Sequence, residues 1–590
     1  MSATNQGISY LTIDAQNILD SRHTGAGKTT SAIEYVSSEV ERGRSVIVLM
    51  QSYERLENNY FRQFTPDLQN RALIFKGKTQ AGMCKHSSRY SRIWRYSRPT
   101  NECGECDAKD SCLYQDQIRR LQELIHDRQG FVILTTDRLL HFILKNCNPF
   151  QPTIIVDDIH LSTIITPEFI IKHKGLEDIQ QFFNYQRKDM SSLNSLLDEL
   201  LKDNSTETEI REYILSHTRE LTEESTSLKL SLSNIENPST AIPDFKSLFS
   251  IIDASRNVES IHFFRIGEDI KIFIDYSSIF KGYRFFYLDA TPSLKDIYCI
   301  DRLGDCKRIT ANAEPNDNYY ILQIVDSANS KQTFLSSIRF IEHFEKITNL
   351  FKKDLNYLGQ PLLLFTFEMV YQKWTGIKEF ENVKFDFIKY FGSNTRGTND
   401  FIEYPISMIL GNPYLPPDYF RHPAFDQYWK KKGKFPDKSI TDQEAKVNLL
   451  QMMGRTLRYN PSDPNQKKMV ILFSGIDLTA DCLKQNGGKV KRYLITARKE
   501  REKLLTDVKK ACQASLEVKI LDKMQTIIDD KLSEEVVYLD QISKELSQDI
   551  SLFKDSTIKT KLENRYVTEK VLVHDRNKRV NKMRIVKRRQ

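Results

Sequence analysis

Short, uninterrupted apolar runs recur along the first half of the chain, and a polar turn follows each of them. They lie at residues 45–50, 131–134, 153–156 and 284–288. Apolar runs of this length, bounded by polar turns, are typical of strands buried on both faces of a parallel sheet. Helical patterns follow several of the runs. The pattern therefore predicts a doubly wound α/β domain whose ligands bind at the carboxyl ends of its strands.

The same pattern returns in the second half of the chain. One run occupies 362–365, and another ends in the segment 409–414. These runs predict a second α/β domain. A polar, glycine-containing loop at 392–401 lies between them and is a further candidate for a site at a strand end.

The region between the third and fourth apolar runs differs. Thr206 and Glu209 have the spacing of a capping box at a helix start, and leucines recur at helical spacing just before them. Two apolar segments, 261–266 and 270–274, flank Gly267 and predict a hairpin. The region is therefore predicted to be a mostly helical insertion.

The end of the chain is basic. A charged helical linker precedes a strand at 536–539 and helices around 542–546 and 558–562, and segments 570–574 and 583–587 pair as a hairpin. This order predicts a winged helix whose wing carries the basic residues. A coil-like basic tail is the alternative.

Composition places the chain among soluble globular proteins. It has 590 residues, 40% hydrophobic and 28% charged, which suggests about three to five domains. No apolar run approaches the roughly 20 residues of a membrane span. No signal-peptide pattern begins the chain. We therefore expect a protein of the cytoplasm, nucleoid-associated, or of the nucleus, neither secreted nor bound to membranes. The net charge of +8 is modest, but the basic residues cluster at the C-terminus and at 85–98, which suits a polyanion.

The segment 21–30 has the pattern of a phosphate-binding loop between a strand and a helix. Backbone N–H groups in such a loop converge on phosphate oxygens, and the helix N-terminus adds partial positive charge. Lys28 would reach the β- and γ-phosphates, and the Thr29 hydroxyl would bind Mg²⁺. Arg22 stands where the pattern usually has its first glycine. The candidate nucleotide-binding residues are Thr24, Gly25, Ala26, Gly27, Lys28, Thr29 and Thr30.

A pair of carboxylates follows the third apolar run. Asp157 would hold Mg²⁺, and Asp158 would orient the attacking water. Much later in the chain, Gln451, Arg455 and Arg458 fall on one face of a predicted helix. Two arginines on such a face can stabilise charge in a transition state, or they can form a structural salt-bridge cluster.

Four cysteines cluster within residues 84–112: Cys84, Cys103, Cys106 and Cys112. Clustered thiolates suit an iron–sulfur cluster or Zn²⁺. Only one Cys-x-x-Cys pair is present, so a two-pair zinc ribbon fits poorly and iron–sulfur is favoured. A segment without metal remains the third alternative. Arginines and aromatic residues interleave between 89 and 98, where they can stack on bases or form a small core.

The order of these segments resembles the superfamily 2 iron–sulfur DNA helicases of the XPD/DinG group, over about residues 15–480. Residues 24–29 resemble motif I of that group, 45–53 motif Ia, 157–160 the DEAH box and 289–291 motif III. Residues 392–401 resemble motif V and 451–458 motif VI. The cysteine and helical insertions stand where the group carries its iron–sulfur and arch domains.

The resemblance implies five parts. Two RecA-like helicase domains would comprise 1–78 with 126–165 and 283–308, and then 309–504. The four-cysteine iron–sulfur insertion would comprise 79–125, the mostly helical arch 166–282, and the linker with the winged-helix-like domain 505–590.

The resemblance also implies an activity, namely ATP-driven 5′→3′ translocation on single-stranded DNA with unwinding of duplexes. The cofactors would be ATP, Mg²⁺ and a [4Fe–4S] cluster held by the four cysteines. Arg455 and Arg458 would reach the γ-phosphate, and His160 and Gln451 would couple the two helicase domains. The isolated protein would be a monomer that binds single-stranded DNA and DNA junctions, with protein partners on the arch or C-terminal domain.

One departure supports a different class of function. The group's water-orienting glutamate is replaced by Asp158, which is one methylene shorter. Hydrolysis would then be slow, and the protein could serve as a DNA-binding scaffold or as a duplex-opening subunit of a larger complex. An RNA helicase is a third hypothesis, less favoured because the cysteine insertion belongs with DNA enzymes of the group.

Overall fold

The structure is a computed structural model, and it describes part of the 590-residue chain. The described residues are 8–23, 25–85, 106, 111–127, 129–147, 150–186, 190–202, 205–233, 245–255, 260–325, 362–368, 379–380, 383–384, 387–390, 401, 404, 406–426, 438–457, 467–494, 497–500, 502–504, 506–507, 537–538, 566–575 and 578–587.

The strands are mostly short, and several come directly from the apolar runs. In chain order they are β1 (Asn17–Asp20), β2 (Val46–Leu49), β3 (Ala72–Ile74), β4 (Val132–Thr135), β5 (Thr153–Asp157), β6 (Glu168–Ile171), β7 (Ser260–Ile266), β8 (Asp269–Asp275), β9 (Phe285–Leu288), β10 (Cys306–Ile309), β11 (Tyr319–Ile324), β12 (Leu362–Thr366), β13 (Glu379–Phe380), β14 (Val383–Lys384), β15 (Phe387–Tyr390), β16 (Ile406–Leu410), β17 (Lys468–Phe473), β18 (Lys489–Tyr493), β19 (Val537–Tyr538), β20 (Tyr566–Asp575) and β21 (Lys578–Lys587).

Most of the α-helices that the structure describes lie in the first two thirds of the chain. They are α1 (Lys28–Glu41), α2 (Tyr53–Asn59), α3 (Pro66–Asn70), α4 (Leu113–His126), α5 (Leu140–Cys147), α6 (Ser162–Ile165), α7 (His173–Gln186), α8 (Ser191–Leu201), α9 (Glu207–Ser216), α10 (Thr218–Ser233), α11 (Lys246–Ala254), α12 (Ser277–Phe280), α13 (Leu294–Arg302), α14 (Lys438–Thr456) and α15 (Thr479–Asn486). Among the described residues, no helix is long and apolar enough to cross a membrane.

The chain divides into two compact units. The first comprises Met1–Glu314, Pro413–Gly454 and Ala480–Gly487. The second comprises Pro315–Asn412, Arg455–Thr479 and Gly488–Gln590.

A seven-stranded sheet organises the first unit, in the order β10-β1-β9-β5-β2-β4-β3, and every pair of neighbours is parallel. Alternate residues of its strands pack on opposite faces. Ile47, for example, joins the core with α4 and α5, while Val46 joins the core with α1. Because both faces are covered by helices, the strands are apolar throughout. In the register of the sheet, Asp20 and Asp157 both lie opposite Leu288 of β9, so the three strands end level.

The helical insertion has its own core within the first unit. Helices α7 to α11 pack with one face of a three-stranded antiparallel sheet of order β6-β8-β7. Ile266 pairs with Asp269, which leaves a two-residue turn that begins at Gly267 with a φ of 63°. Glycine adopts that left-handed conformation without strain. The predicted hairpin and the capping box at Thr206 are both present.

The second unit contains another parallel sheet, of six strands in the order β15-β12-β16-β17-β11-β18. The prediction of two parallel α/β sheets is confirmed. Near the chain end, β20 and β21 form a ten-pair antiparallel ladder, and β19 joins at β21. A C-terminal hairpin is therefore present, as predicted, but its register differs: residues 570–574 pair with 579–583, and residues 583–587 pair with 566–570.

Several predictions fall outside the described residues: Thr24, Cys103, the loop at 392–400, Arg458, the basic stretch 86–98, and the helices around 542–546 and 558–562. The five-part domain boundaries and the winged helix stay predictions.

Candidate nucleotide-binding site

The loop after β1 is shaped by two glycines. Gly25 has a φ of 87°, and Gly27, which precedes the first residue of α1, has a φ of 74°. A side chain at either position would have open space around it, so glycine is needed there for its backbone conformation. The loop leads directly into the N-terminus of α1, where unpaired N–H groups favour an anion.

Lys28 is the first residue of α1, and its side chain turns back over the loop. Its Nζ donates to the carbonyl oxygens of Arg22 at 2.8 Å and His23 at 3.3 Å. Burial lowers the pKa of Lys28, while the carboxylates of Asp20 and Asp289 oppose that shift. The lysine therefore already lies within the loop, where a phosphate would meet its ammonium group.

Thr29 and Asp157, the two predicted magnesium ligands, lie together. The Thr29 Oγ1 donates to Asp157 Oδ2 at 3.0 Å, and the fully buried Tyr60 donates to the same oxygen at 2.9 Å. Neighbouring oxygen ligands around an octahedral Mg²⁺, each at about 2.1 Å, stand about 3 Å apart. Both the oxygen donors and their separation therefore fit this ion.

Asp157 is an unusual carboxyl because it is buried. Burial and the neighbouring charge of Asp158 raise the pKa of Asp157 to about 7, although the hydrogen bonds from Tyr60 and Thr29 act in the opposite direction. A cation at this position would favour the ionised form. The site is therefore best satisfied when a positive ion is bound.

Asp158 has a left-handed backbone with a φ of 59°. Aspartate tolerates this conformation better than most residues with a side chain, because its short polar group can form local hydrogen bonds. Its side chain is 32% exposed, and Oδ2 lies 3.9 Å from Arg55 Nη1. Adjacent carboxylates thus differ: Asp157 is enclosed, and Asp158 is open to solvent.

His160 belongs to a buried network around Asp296 of α13. The Asp296 carboxylate accepts from His160 Nδ1 at 2.7 Å, from the Ser293 hydroxyl at 2.6 Å and from the Ser162 N–H at 2.9 Å. Burial by itself would raise the pKa of Asp296, but these partners hold it below the ordinary aspartate value. Asp296 is therefore an ionised anchor that ties the segment after β5 to α13.

Gln451 of α14 contacts the segment that leads from β9 into α13. Its Nε2 donates to the Thr291 carbonyl oxygen at 3.3 Å. Seven residues, or about two helical turns, before it, Glu444 accepts from the Leu294 N–H at 2.8 Å. His160 and Gln451 therefore both reach residues 289–302, from different parts of the first unit.

The predicted site residues are divided between the two compact units. Arg455 is buried and belongs to the second unit, whereas Lys28, Thr29, Asp157 and Gln451 belong to the first. Within the loop, Ala26 is buried and Gly25 and Thr30 are exposed.

The two ends of the four-cysteine segment meet. Cys112 Sγ lies 3.8 Å from the Met83 carbonyl oxygen, which also accepts from the Tyr114 N–H at 3.1 Å. Cys84 directly follows Met83. Within the described part of the chain, however, no group of three His, Cys, Asp or Glu side chains could hold a metal. The described cysteines, Cys84, Cys106 and Cys112, thus do not form such a group.

Several residues of the site were not found from the sequence. Tyr60, Arg55 and Asp296 carry no motif, and no pattern around them indicates a contact with residues near 157. Asp20 had one available signal, since it ends an apolar strand just before the loop. That position commonly faces the ligand edge of a parallel sheet.

Comparisons with known proteins add a remote likeness only. No family model matches the chain, and no curated protein matches it. A solved structure titled "XPD_Helicase" is 14% identical with a TM-score of 0.48, and the alignment covers 81% of this chain and 96% of that one. A second, "XPD_APO", is 12% identical with a TM-score of 0.42 and covers 80% and 96%. The function must therefore be argued from this chain's own residues.

Proposed function

We propose that the protein is an ATP-dependent DNA helicase that moves 5′→3′ on single-stranded DNA. One observation carries the nucleotide part of this proposal. Lys28, the Thr29 hydroxyl and the Asp157 carboxylate lie together at the carboxyl edge of a parallel sheet, with a 3.0 Å hydrogen bond between the last two. This is the combination that binds a nucleoside triphosphate with its magnesium ion.

Each group has a distinct role in hydrolysis. The Lys28 ammonium group would bind the β- and γ-phosphates in place of its present carbonyl partners. Thr29 and Asp157 would hold Mg²⁺, which supplies charge neutralisation for the phosphates when bound. Asp158 would orient the attacking water, and its exposure leaves room for one. On the sequence resemblance, Arg455 and Arg458 would stabilise the transition-state charge.

Residues 289–302 would couple ATP hydrolysis to movement along DNA. His160 contacts this segment through Asp296, and Gln451 contacts it at Thr291. A change at Asp157 and Asp158, just before His160, would therefore be transmitted to α14. Two-state shifts of such segments are a common means of turning nucleotide state into motion.

DNA is proposed as the polymer because of charge and resemblance. The strands β20 and β21 contain six basic residues in a ten-pair hairpin: Lys570, Lys578, Arg579, Lys582, Arg584 and Lys587. Phosphate contacts by such residues release counterions, so affinity should fall with salt at a log–log slope of about −0.7 for each single-strand phosphate contacted.

The [4Fe–4S] cluster is proposed from the number and spacing of the four cysteines, and the meeting of Met83 with Cys112 supports a closed insertion. A brown protein that contains iron and sulfide would support it. A colourless protein with stoichiometric zinc would contradict it.

The test of the nucleotide site is Lys28→Ala. We expect DNA-stimulated ATP hydrolysis to fall at least about 100-fold, because the phosphates lose their ammonium partner. Lys145→Ala, which changes an exposed lysine on α5 of the same unit, is the matched control and should retain activity. Unchanged turnover in Lys28→Ala would remove this site from the proposal.

A second candidate, a DNA-binding scaffold with weak ATPase, is favoured by Asp158. The shorter carboxylate stands at a left-handed backbone position, where a glutamate is less readily accommodated. Strand displacement on duplexes with a 5′ or a 3′ tail separates the two functions. ATP-dependent unwinding from the 5′ tail supports the helicase, and DNA binding without unwinding supports the scaffold.

A further inference from the structure

Arg22 occupies the position where phosphate-binding loops usually have glycine, and its side chain lies inside the protein. It is 3% exposed and forms an ion pair with Asp20, which is fully buried. The contact is a two-point one: Nη2 lies 2.6 Å from Asp20 Oδ2, and Nε lies 3.0 Å from each carboxylate oxygen. A guanidinium held in this way has a fixed orientation.

The remaining donors of Arg22 connect both ends of the loop. Nη1 donates to the Ala26 carbonyl oxygen at 3.3 Å, and Nη2 lies 3.4 Å from the Ser31 hydroxyl of α1. Arg22 therefore joins the end of β1, the middle of the loop and the first turn of the helix. A glycine at this position would make none of these contacts.

Tyr10 completes the cluster from the segment before β1. Its hydroxyl donates to Asp20 Oδ2 and accepts from Arg22 Nη2 at 3.3 Å. Its ring packs edge-on against Phe286 of β9, with centroids 5.3 Å apart. Burial raises the pKa of Tyr10, so the hydroxyl keeps the proton that it donates. All three side chains are buried together under the loop.

The cluster also contacts the residue that would bind phosphate. The Arg22 carbonyl oxygen accepts from Lys28 Nζ at 2.8 Å. Gly25 and Gly27 have the most backbone freedom in the loop, so another group must restrict its shape. An ordered loop binds its ligand more tightly because less conformational entropy is lost on binding.

We infer that Arg22, paired with Asp20 and supported by Tyr10, is a positioning unit that holds the loop in its phosphate-binding shape before nucleotide arrives. The inference rests on the proposed function, since it assumes that this loop binds nucleotide. The Arg22 guanidinium is buried and held by Asp20, Ala26 and Ser31, so we expect its effect to be on affinity. The chemical step depends on other residues.

The discriminating variant is Arg22→Lys, which retains a positive charge beside Asp20 but lacks the fork that also reaches Ala26. We expect the affinity for a fluorescent ATP analogue to fall about tenfold, the effect of losing one charge-assisted hydrogen bond. The KM for ATP should rise by a similar factor. The kcat at saturating ATP should change less than about threefold, because the lost contacts weaken binding of ATP and of the transition state equally.

Arg284→Lys is the matched control. Arg284 is a partly buried arginine of the same unit, and it donates to the Ile13 carbonyl oxygen at 2.8 Å and stacks near Tyr35. Like Arg22, it donates to a backbone carbonyl oxygen and to a tyrosine hydroxyl, here that of Tyr35 at 3.3 Å. Its substitution should change nucleotide affinity less than about twofold. Thermal unfolding of both variants shows whether a change reflects general destabilisation.

A second variant covers the case in which Arg22→Lys does not fold. The double substitution Asp20→Asn with Arg22→Gln removes both buried charges and retains hydrogen-bonding groups, and it should also bind nucleotide about tenfold more weakly. A folded variant of either kind with wild-type affinity would overturn the inference alone. Wild-type protein that does not bind the analogue would overturn the proposed function, and this inference with it.

Discussion

The two parallel sheets share an architecture and differ at their carboxyl edges. The edge of the first sheet carries ionisable groups: Asp20 ends β1, Asp157 ends β5, and Asp289 follows β9, with Lys28 beyond the loop. At the described edge of the second sheet, three neutral groups lie side by side: Asn412 after β16, Ser474 after β17, and Gln323 near the end of β11. An exposed carboxylate, Glu368, follows β12 at the same edge.

These neutral groups of the second sheet form hydrogen bonds with one another and with nearby backbone. Ser474 Oγ donates to Asn412 Oδ1 at 2.5 Å. Gln323 Nε2 donates to the carbonyl oxygens of Ser474 and Ile476, both at 2.6 Å. In the first sheet, by contrast, Lys28 and Asp157 have partners that a phosphate and a cation can replace. We therefore call the first edge the binding edge, and the described part of the second edge around Asn412 and Ser474 the packing edge.

The largest effect should come from the binding edge, at Asp158. Asp158→Asn keeps a residue that tolerates the left-handed backbone but removes the carboxylate that would orient water. We expect kcat for ATP hydrolysis to fall by about 10²–10⁴-fold while nucleotide affinity stays within about threefold. Steady-state hydrolysis and equilibrium binding of the fluorescent analogue measure the two quantities. Retained hydrolysis would assign water orientation to another residue.

An intermediate effect should follow from Tyr60→Phe. The lost hydroxyl donates to Asp157 and favours its ionised form, so its removal raises the pKa of Asp157 further. Protons then compete more strongly with Mg²⁺ for the Asp157 carboxylate. The Mg²⁺ concentration for half-maximal hydrolysis should rise several-fold, about 3–10-fold, and more at pH 6 than at pH 8.

Tyr35→Phe is the control for that variant. Tyr35 is another buried tyrosine of the first unit, on α1, and its hydroxyl contacts Thr153 at 3.3 Å, away from the loop. Its Mg²⁺ requirement should match that of the wild type. An equal rise in both variants would show that buried tyrosines act on stability and that Tyr60 has no particular role at the cation.

The smallest effect on nucleotide binding should come from the packing edge. Asn412→Ala removes the acceptor of the Ser474 hydroxyl, which should lower the free energy of unfolding by about 1 kcal/mol. Nucleotide affinity should change less than about twofold. A large loss of affinity would show that the second sheet also has a binding edge, and the contrast between the sheets would fail.

The local features of the fold were accessible from the sequence. Apolar runs predicted β2, β4, β5, β9 and β12, because a strand buried on both faces needs apolar side chains at every position. The loop at 21–30 was found because two glycines, a lysine and a hydroxyl must follow a strand in that order to hold phosphate. These patterns depend on neighbours along the chain.

The contacts that tune the site depend on residues that are distant in sequence. Thr29 and Asp157 are 128 positions apart, and Tyr60 and Asp157 are 97 apart. Their meeting follows from the strand order β1-β9-β5-β2, and the sequence pattern does not specify that order. Arg22 shows the same limit of sequence patterns. In the sequence it is only a departure from the motif, and its contact with Tyr10, which supports the loop, is visible only in the fold.

Residue order along this chain was thus enough to indicate a phosphate loop, paired carboxylates and two parallel sheets. Folding decided which of the carboxyls is enclosed, which hydroxyls reach it, and which sheet edge stays open to a ligand. The physical reason is that strand and loop patterns arise from local backbone and burial requirements. The burial of Asp157 and its hydrogen bonds with Thr29 and Tyr60 arise instead from side chains 128 and 97 positions away that the sheet brings together.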